Sequence, residues 1–412
     1  MPDLQEIGLE IKTTPIKQIK KGLVSKERLV FNIINFNEEH KESFKTSSFW
    51  KKNKLLLLIF YLYEKEKEDV DYIFKLIRKW QFPSTDLKII KDDWEKIISK
   101  IKEGKAHEIS EGDTFYLGAC TKGANKDSVR TQPFSSEKAM QRAFSLKSKY
   151  LNFIIEKGFA KEEITIDQKE YDKILDEGIV NIEEPYEEYK KLNLQEVEPV
   201  IKNIEDYKKG ETFEEFIIKK FEPFYGMSEN KIVSSLNIEA TDSKSKFYLI
   251  SKAILDVTKN KIEEFEKADV QMKTIRLEKS GTIKESMSFA QIQFSEIVNE
   301  AWDESYWYYM LTKRFFFVVF QRDESDELNL KKVFFWTMSS QDLEIAKDFW
   351  MDTKQKIIND DYENFIKISD NKICHVRPKG NDSSDLMETP SGRMEKKKCY
   401  WLNSSYIKKI IE

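Results

Sequence analysis

The opening residues Pro2-Asp3-Leu4-Gln5-Glu6-Ile7-Gly8-Leu9-Glu10-Ile11-Lys12 place two carboxylates and a lysine close together. The run from Ile7 to Thr13 alternates as a strand does, so Glu10 and Lys12 point to one face. Two carboxylates and a lysine converging on one spot suit metal-assisted hydrolysis of a phosphodiester. The carboxylates hold a divalent cation, and the lysine positions a water beside it. The pattern is short and the chain is 34% charged. Taken alone, a solvated strand face is the plainer account, so the elements around it must decide.

The chain has 412 residues, enough for two domains or more. With 28 Phe, 17 Tyr and 8 Trp it can fill large cores. Leu55 to Tyr63 is the most apolar run; it is too short to span a bilayer and reads as a buried central strand. No signal peptide opens the chain, and Cys120, Cys374 and Cys399 make no disulfide framework, which points to a reducing cytoplasm. With only 3 His, structural zinc and histidine catalysis are disfavoured. Net charge is −4, but it is uneven: residues 1–158 hold 30 Lys+Arg against 23 Asp+Glu, and residues 159–215 hold 8 against 18. An acidic, partly helical connector over 159–211 therefore masks a basic first domain over 1–158, and local basic patches govern phosphate binding.

On either side of that connector the chain repeats itself. Ile7-Gly8-Leu9-Glu10-Ile11-Lys12-Thr13 is answered by Ala268-Asp269-Val270-Gln271-Met272-Lys273-Thr274. Lys26-Glu27-Arg28-Leu29-Val30-Phe31 is answered by Lys284-Glu285-Ser286-Met287-Ser288-Phe289. Phe49-Trp50 ahead of Leu55–Ile59 matches Tyr306-Trp307 ahead of Phe315–Val319, and the helical stretch Ile90–Trp94 matches Ile345–Trp350. Gly118–Gly123 matches Val376–Gly380, and Phe144–Tyr150 matches Tyr400–Tyr406. Order is preserved throughout, which a duplicated domain explains better than generic αβ patterning. Each unit reads as strand, hairpin, strand, helix, strand and a final turn with a helix. The predicted class is α+β, with each domain a mixed sheet flanked by helices.

These blocks resemble the type II restriction endonucleases related to the mismatch-repair nuclease MutH, which cut at GATC. Phe115–Gly123 carries the resemblance most specifically, followed by Gln132-Pro133-Phe134 and Gln141–Tyr150 in the family's order; Arg377-Pro378-Lys379 is similar to the DNA-reading turn of MutH. The resemblance implies two tandem restriction-endonuclease-like domains: a nuclease over 1–158 and a second unit over 212–412 that binds double-stranded DNA without cutting. It implies that Asp3 and Glu10, helped by the Ile11 carbonyl, hold Mg²⁺, and that Lys12 orients or polarises the attacking water. It implies a further catalytic lysine at the start of the buried strand, where Lys51-Lys52-Asn53-Lys54 stands and Lys52 is the choice. It implies DNA contacts from Glu27, Lys122, Arg142, Ser145 and Lys147 in the first unit, and from Arg377 and Lys379 in the second. Plainer readings of the same residues remain open: a solvated strand end for Lys52, a hairpin charge for Glu27, a tight turn for Gly118 and Gly123, and a helical pair with Glu137 for Arg142.

The second unit departs from the family at its metal position. Gln271 replaces the carboxylate, and Glu264 falls where Asp3 stands in the first unit, so this unit is expected not to cut. The first unit begins two residues before Asp3, whereas family members carry helices there, so the resemblance implies a shortened nuclease. Two function classes follow. One is a Mg²⁺-dependent endonuclease acting at GATC, monomeric with pseudo-dimeric domains, with dimerisation on DNA left open. The other is a GATC-binding protein that has lost catalysis.

Overall fold

The computed structural model describes all residues except 20–21, 69–70, 124–126, 161–196, 209, 240–244, 284–285, 372 and 381–384. The chain divides into two compact units, one of residues 1–223 and 251–271, the other of residues 224–250 and 272–412.

The first unit is built on a four-stranded sheet. Strand β1 (Glu10–Ile19) lies parallel to β4 (Leu56–Leu62), with β2 (Gly22–Ser25) antiparallel on its other side and β5 (Ile73–Trp80) antiparallel beyond β4. Leu56, Leu58 and Phe60 of β4 alternate into the interior and are wholly buried, as an apolar central strand requires. Ahead of β4 sits the short helix α1 (Ser48–Asn53), opened by Ser47, whose hydroxyl accepts the Trp50 N–H at 3.0 Å. A second sheet orders β3 (Leu29–Ile33), β9 (Arg142–Leu146) and β6 (Leu117–Thr121), all antiparallel, with a hairpin of β7 (Val129–Gln132) and β8 (Ser135–Met140) beside them. Helix α2 (Ser84–Lys102) buries Leu87, Ile90, Trp94, Ile97 and Ile101, spaced three or four apart on one stripe, with Ile98 beside them. Its buried Asp93 takes the N–H groups of Phe115, Tyr116 and Leu117 at 2.7, 2.6 and 2.9 Å and so launches β6. The unit's last N-terminal helix is α3 (Ser148–Phe159).

Later chain joins this unit. The expected boundary at 212 falls inside it, because helix α4 (Phe213–Phe221) buries Phe213, Phe216, Ile217 and Phe221 here. The Phe213 ring meets Phe115 edge-on at 4.8 Å, and its N–H reaches Asp92 at 3.3 Å. An amphipathic helix settles where an apolar surface awaits it, whichever way the chain runs. Most of the expected connector, residues 161–196, lies outside the described residues. The described remainder is packed, with Val200, Ile201, Ile204 and Tyr207 buried. Helix α5 (Glu263–Ala268) also belongs here: Lys267 is buried against Asp86 of α2 at 2.9 Å and Glu263 at 2.8 Å, and Tyr150 donates to Asp86 at 2.8 Å.

The second unit repeats the plan. One sheet orders β10 (Gln271–Leu277), β12 (Phe315–Arg322) and β13 (Leu328–Trp336); the other orders β11 (Met287–Gln291), β15 (Lys398–Leu402) and β14 (Cys374–Pro378). Helix α6 (Tyr306–Leu311) precedes β12 as α1 precedes β4; α7 (Ser340–Ile358) corresponds to α2, and α8 (Ser404–Ile411) closes the unit as α3 does the first. α2 and α7 are both 19 residues long. Even a turn is copied: Gly8 has φ +65° just before β1, and Asp269 has φ +54° just before β10. Among the described residues no helix is long and apolar enough to cross a membrane.

Candidate active site

Leu4 and Leu9 exchange both backbone hydrogen bonds, at 2.9 and 3.1 Å, closing a tiny hairpin whose loop is Gln5–Gly8. The loop needs a left-handed residue at its exit, and Gly8 supplies it without the steric cost of a Cβ. This hairpin is why a spacing of seven works: it folds Asp3 back against Glu10. The Asp3 N–H donates to Glu10 Oε2 at 3.1 Å, and Asp3 Oδ2 accepts the Ile11 N–H at 3.0 Å.

The ladder explains the rest. The Glu10 N–H bonds the Leu55 carbonyl at 3.0 Å, toward β4, so the N–H and C=O of Ile11 point to the other edge of β1. β2 pairs with β1 only over Ile16–Ile19, which leaves the edge at Ile11 to the Asp3 turn. The Glu10 carboxylate is 1% exposed. Its Oε1 meets Lys12 Nζ at 2.9 Å and Lys52 Nζ at 3.3 Å. Lys12 is on the same strand face, two residues along. Lys52 comes from the last turn of α1 rather than from the start of β4, and of Lys51, Lys52 and Lys54 it is the one whose ammonium pairs with Glu10. Lys54 lies along Gly8 instead. The site thus gathers two carboxylates, one strand carbonyl and two ammonium groups. No group of three or more His, Cys, Asp or Glu placed to hold a metal occurs among the described residues.

The residues assigned to DNA divide sharply. Glu27 is exposed in the bend between β2 and β3, which lead into different sheets, and its carbonyl accepts the Ser25 hydroxyl. Lys122 is exposed just past β6, held by its N–H to the Gln141 carbonyl at 2.7 Å. The other three face inward. Arg142 is on a strand, not a helix, and its buried guanidinium donates to the Ala119 carbonyl at 2.7 Å. Ser145 is 1% exposed, paired across to Gly118. Lys147 donates to the Thr114 carbonyl at 2.6 Å. These contacts brace β6 and the Lys122 turn.

In the second copy of the sequence repeat, Gln271, the last residue grouped with the first unit, opens β10 where Glu10 opens β1, and Lys273 follows at the place of Lys12. Glu264 does not serve as a second Asp3: its buried carboxylate takes the N–H groups of Val200 and Ile201 at 2.9–3.1 Å. Arg377 and Lys379 are exposed at the end of β14. The Arg377 guanidinium stacks on Trp401, 3.7 Å from the ring centre, and Lys379 Nζ donates to Ser288 Oγ at 2.6 Å. The sequence reading missed Asp93, although a carboxylate sitting on the apolar stripe between Ile90 and Trp94 was a visible signal of a buried task.

The family model for the DNA mismatch repair enzyme MutH matches residues 1–93 and 255–348. Those two segments carry β1 with β4 in one unit and β10 with β12 in the other. The chain is also 35% identical, over 465 aligned residues, to the type II restriction enzyme Sau3AI of Staphylococcus aureus, covering 100% of this chain and 88% of that relative.

Proposed function

This chain belongs to the type II restriction endonucleases related to MutH, and on that premise we propose that its first unit hydrolyses double-stranded DNA at GATC with Mg²⁺. The observation that carries the reading is the buried Glu10 carboxylate, with Asp3 folded onto it and two lysine ammoniums on one oxygen. The donor set fits a hard cation: Asp3 is hydrogen-bonded to both Glu10 and Ile11, and Mg²⁺ typically takes only one or two carboxylates. Bound there, the metal would neutralise charge developing on the phosphate and lower the pKa of a coordinated water. Glu10 holds Lys12 and Lys52 in place. Their ammonium groups orient the attacking water and add positive field where the pentacovalent phosphate gathers charge. Lys122 and Glu27 face outward for the bases, with Arg142, Ser145 and Lys147 shaping the turn beneath them.

The second unit binds DNA as an effector and does not cut. Gln271 is a poor ligand for Mg²⁺, and Glu264 is committed to backbone N–H groups. Arg377 and Lys379 keep the chemistry to read guanine or to meet phosphate. Plasmids with and without GATC, incubated in Mg²⁺ or EDTA, test both halves. Metal-dependent linearisation of the GATC plasmid alone, lost in Lys12→Ala, supports the nuclease. GATC-dependent gel retardation with no cleavage in any buffer would instead establish a binder that has lost catalysis. Arg377→Ala should weaken binding of a second GATC duplex while leaving Mg²⁺ binding at Asp3 and Glu10 unchanged.

A further inference from the structure

Strand alternation sorts the side chains of β14 and β15 onto two faces. Val376, Tyr400 and Leu402 turn into the second unit's core, so His375, Arg377 and Trp401 share the opposite face. A tryptophan placed away from the core needs another task. Arg377 stands opposite Cys399, two residues from Trp401, and this diagonal lets the guanidinium carbon come within 3.7 Å of the indole ring centre. Lys379 Nζ lies 5.3 Å from the same ring. His375, directly opposite Trp401, stacks on it with ring centres 6.1 Å and planes 20° apart. His375 is itself fixed. Asn403 donates its amide N–H₂ to the Asn371 carbonyl at 2.6 Å, so its Oδ1 accepts the His375 Nδ1–H at 2.6 Å. The indole is therefore a braced surface, and the guanidinium is its occupant. Among the described residues the Arg377 side chain makes no hydrogen bond or ion pair, so stacking holds it while its N–H donors stay unspent.

We propose that Trp401 is a positioning residue for DNA recognition by the second unit: its indole face presets the Arg377 guanidinium, which meets guanine with its donors already held in place. This rests on the reading that Arg377 contacts DNA. A free arginine gives up rotamer freedom when it binds, whereas a stacked one has given up much of it beforehand. The first unit is built otherwise at these places. The ladder positions of His375 and Trp401 hold Gly118 and Ser145 there, and Cys120 stands where Arg377 does. The non-cutting unit thus has a base-reading device of its own.

The test is calorimetric titration of the full-length protein in EDTA with a short GATC duplex and with its scrambled counterpart. The second unit's binding event is the one that Arg377→Ala weakens. Trp401→Leu should weaken the same event by about 2- to 30-fold, the worth of one cation–π contact, and should leave scrambled-duplex affinity within about twofold of wild type. Trp401→Phe, which keeps an aromatic face, should restore most of the loss. Adding Arg377→Ala to Trp401→Leu should cost little more than Arg377→Ala alone, because the two side chains act as one. Arg377→Lys keeps the charge at an exposed position and loses the planar stack, so it should behave as Trp401→Leu does; it carries the test if Trp401→Leu does not fold, which thermal unfolding shows. Wild-type GATC affinity in Arg377→Lys, additive losses in the double variant, or equal losses for both duplexes in Trp401→Leu would overturn the positioning role. Unchanged GATC binding in Arg377→Ala would overturn the DNA reading of Arg377 itself.

Discussion

Lys52→Met separates a catalytic ammonium from a structural one. The substitution keeps the aliphatic stem and removes the charge 3.3 Å from Glu10 Oε1. Coulomb's law at that distance, with an effective dielectric of about 20, gives a gross attraction of about 5 kcal/mol. Most of it is offset, because the Lys52 side chain is 29% exposed and must give up hydration and rotamer freedom; partly exposed pairs net about 1 kcal/mol or less. Folding stability should therefore drop by no more than about 1 kcal/mol. The chemical step should suffer far more, since loss of one preorganised positive group costs about 100- to 1000-fold, or about 3–4 kcal/mol of barrier. Lys51→Met is the control, for Lys51 is exposed on the same helix turn. The assay is single-turnover cleavage of a GATC plasmid in saturating Mg²⁺, with urea unfolding in parallel. Cleavage by Lys52→Met within about threefold of wild type, or an equal loss in Lys51→Met, would refute the assignment.

Two further outcomes concern the scaffold. Asp93→Ala leaves the Phe115, Tyr116 and Leu117 N–H groups without their buried acceptor, at about 1–3 kcal/mol each; urea unfolding should show a loss of about 3–5 kcal/mol, and a loss under about 1 would contradict the role given to Asp93. Burial pushes the Glu264 carboxyl up from 4.5 to about 7, helped by Glu263 and opposed by the N–H groups of Val200 and Ile201. The folded state then keeps a proton that the unfolded chain sheds, so stability falls as pH rises from about 4.5 to about 7, by up to about 3 kcal/mol from this group. Glu264→Gln should remove that part of the slope, and parallel pH profiles for the two proteins would show it absent.

The sequence carried the site better than its surroundings. Asp3, Glu10 and Lys12 were legible because strand alternation and a seven-residue spacing are local, and the Leu4–Leu9 hairpin acts on the same dozen residues. The duplication was legible because order survives even where residues change. Lys52 was the lysine chosen, though it stands on a helix end, since four residues of mixed polarity before a strand suit either state. Arg142 and Lys147 were read as DNA contacts, but the Ala119 and Thr114 carbonyls that receive them come from distant chain, and no periodicity announces such partners. The boundary at 212 was misplaced for the same reason: the stripe of Phe213, Phe216, Ile217 and Phe221 says that α4 is buried, not which core buries it.

The chain leaves the first unit after residue 223, returns to it at 251, and departs again after 271. A fragment cut at any single peptide bond between 212 and 271 would strip one core of a piece or carry a stray piece of the other. During synthesis, the first unit lacks Lys267 to neutralise Asp86 until roughly two thirds of the polypeptide has emerged from the ribosome. Completion of the first unit's core thereby waits on synthesis of residues 224–250, which belong to the other unit.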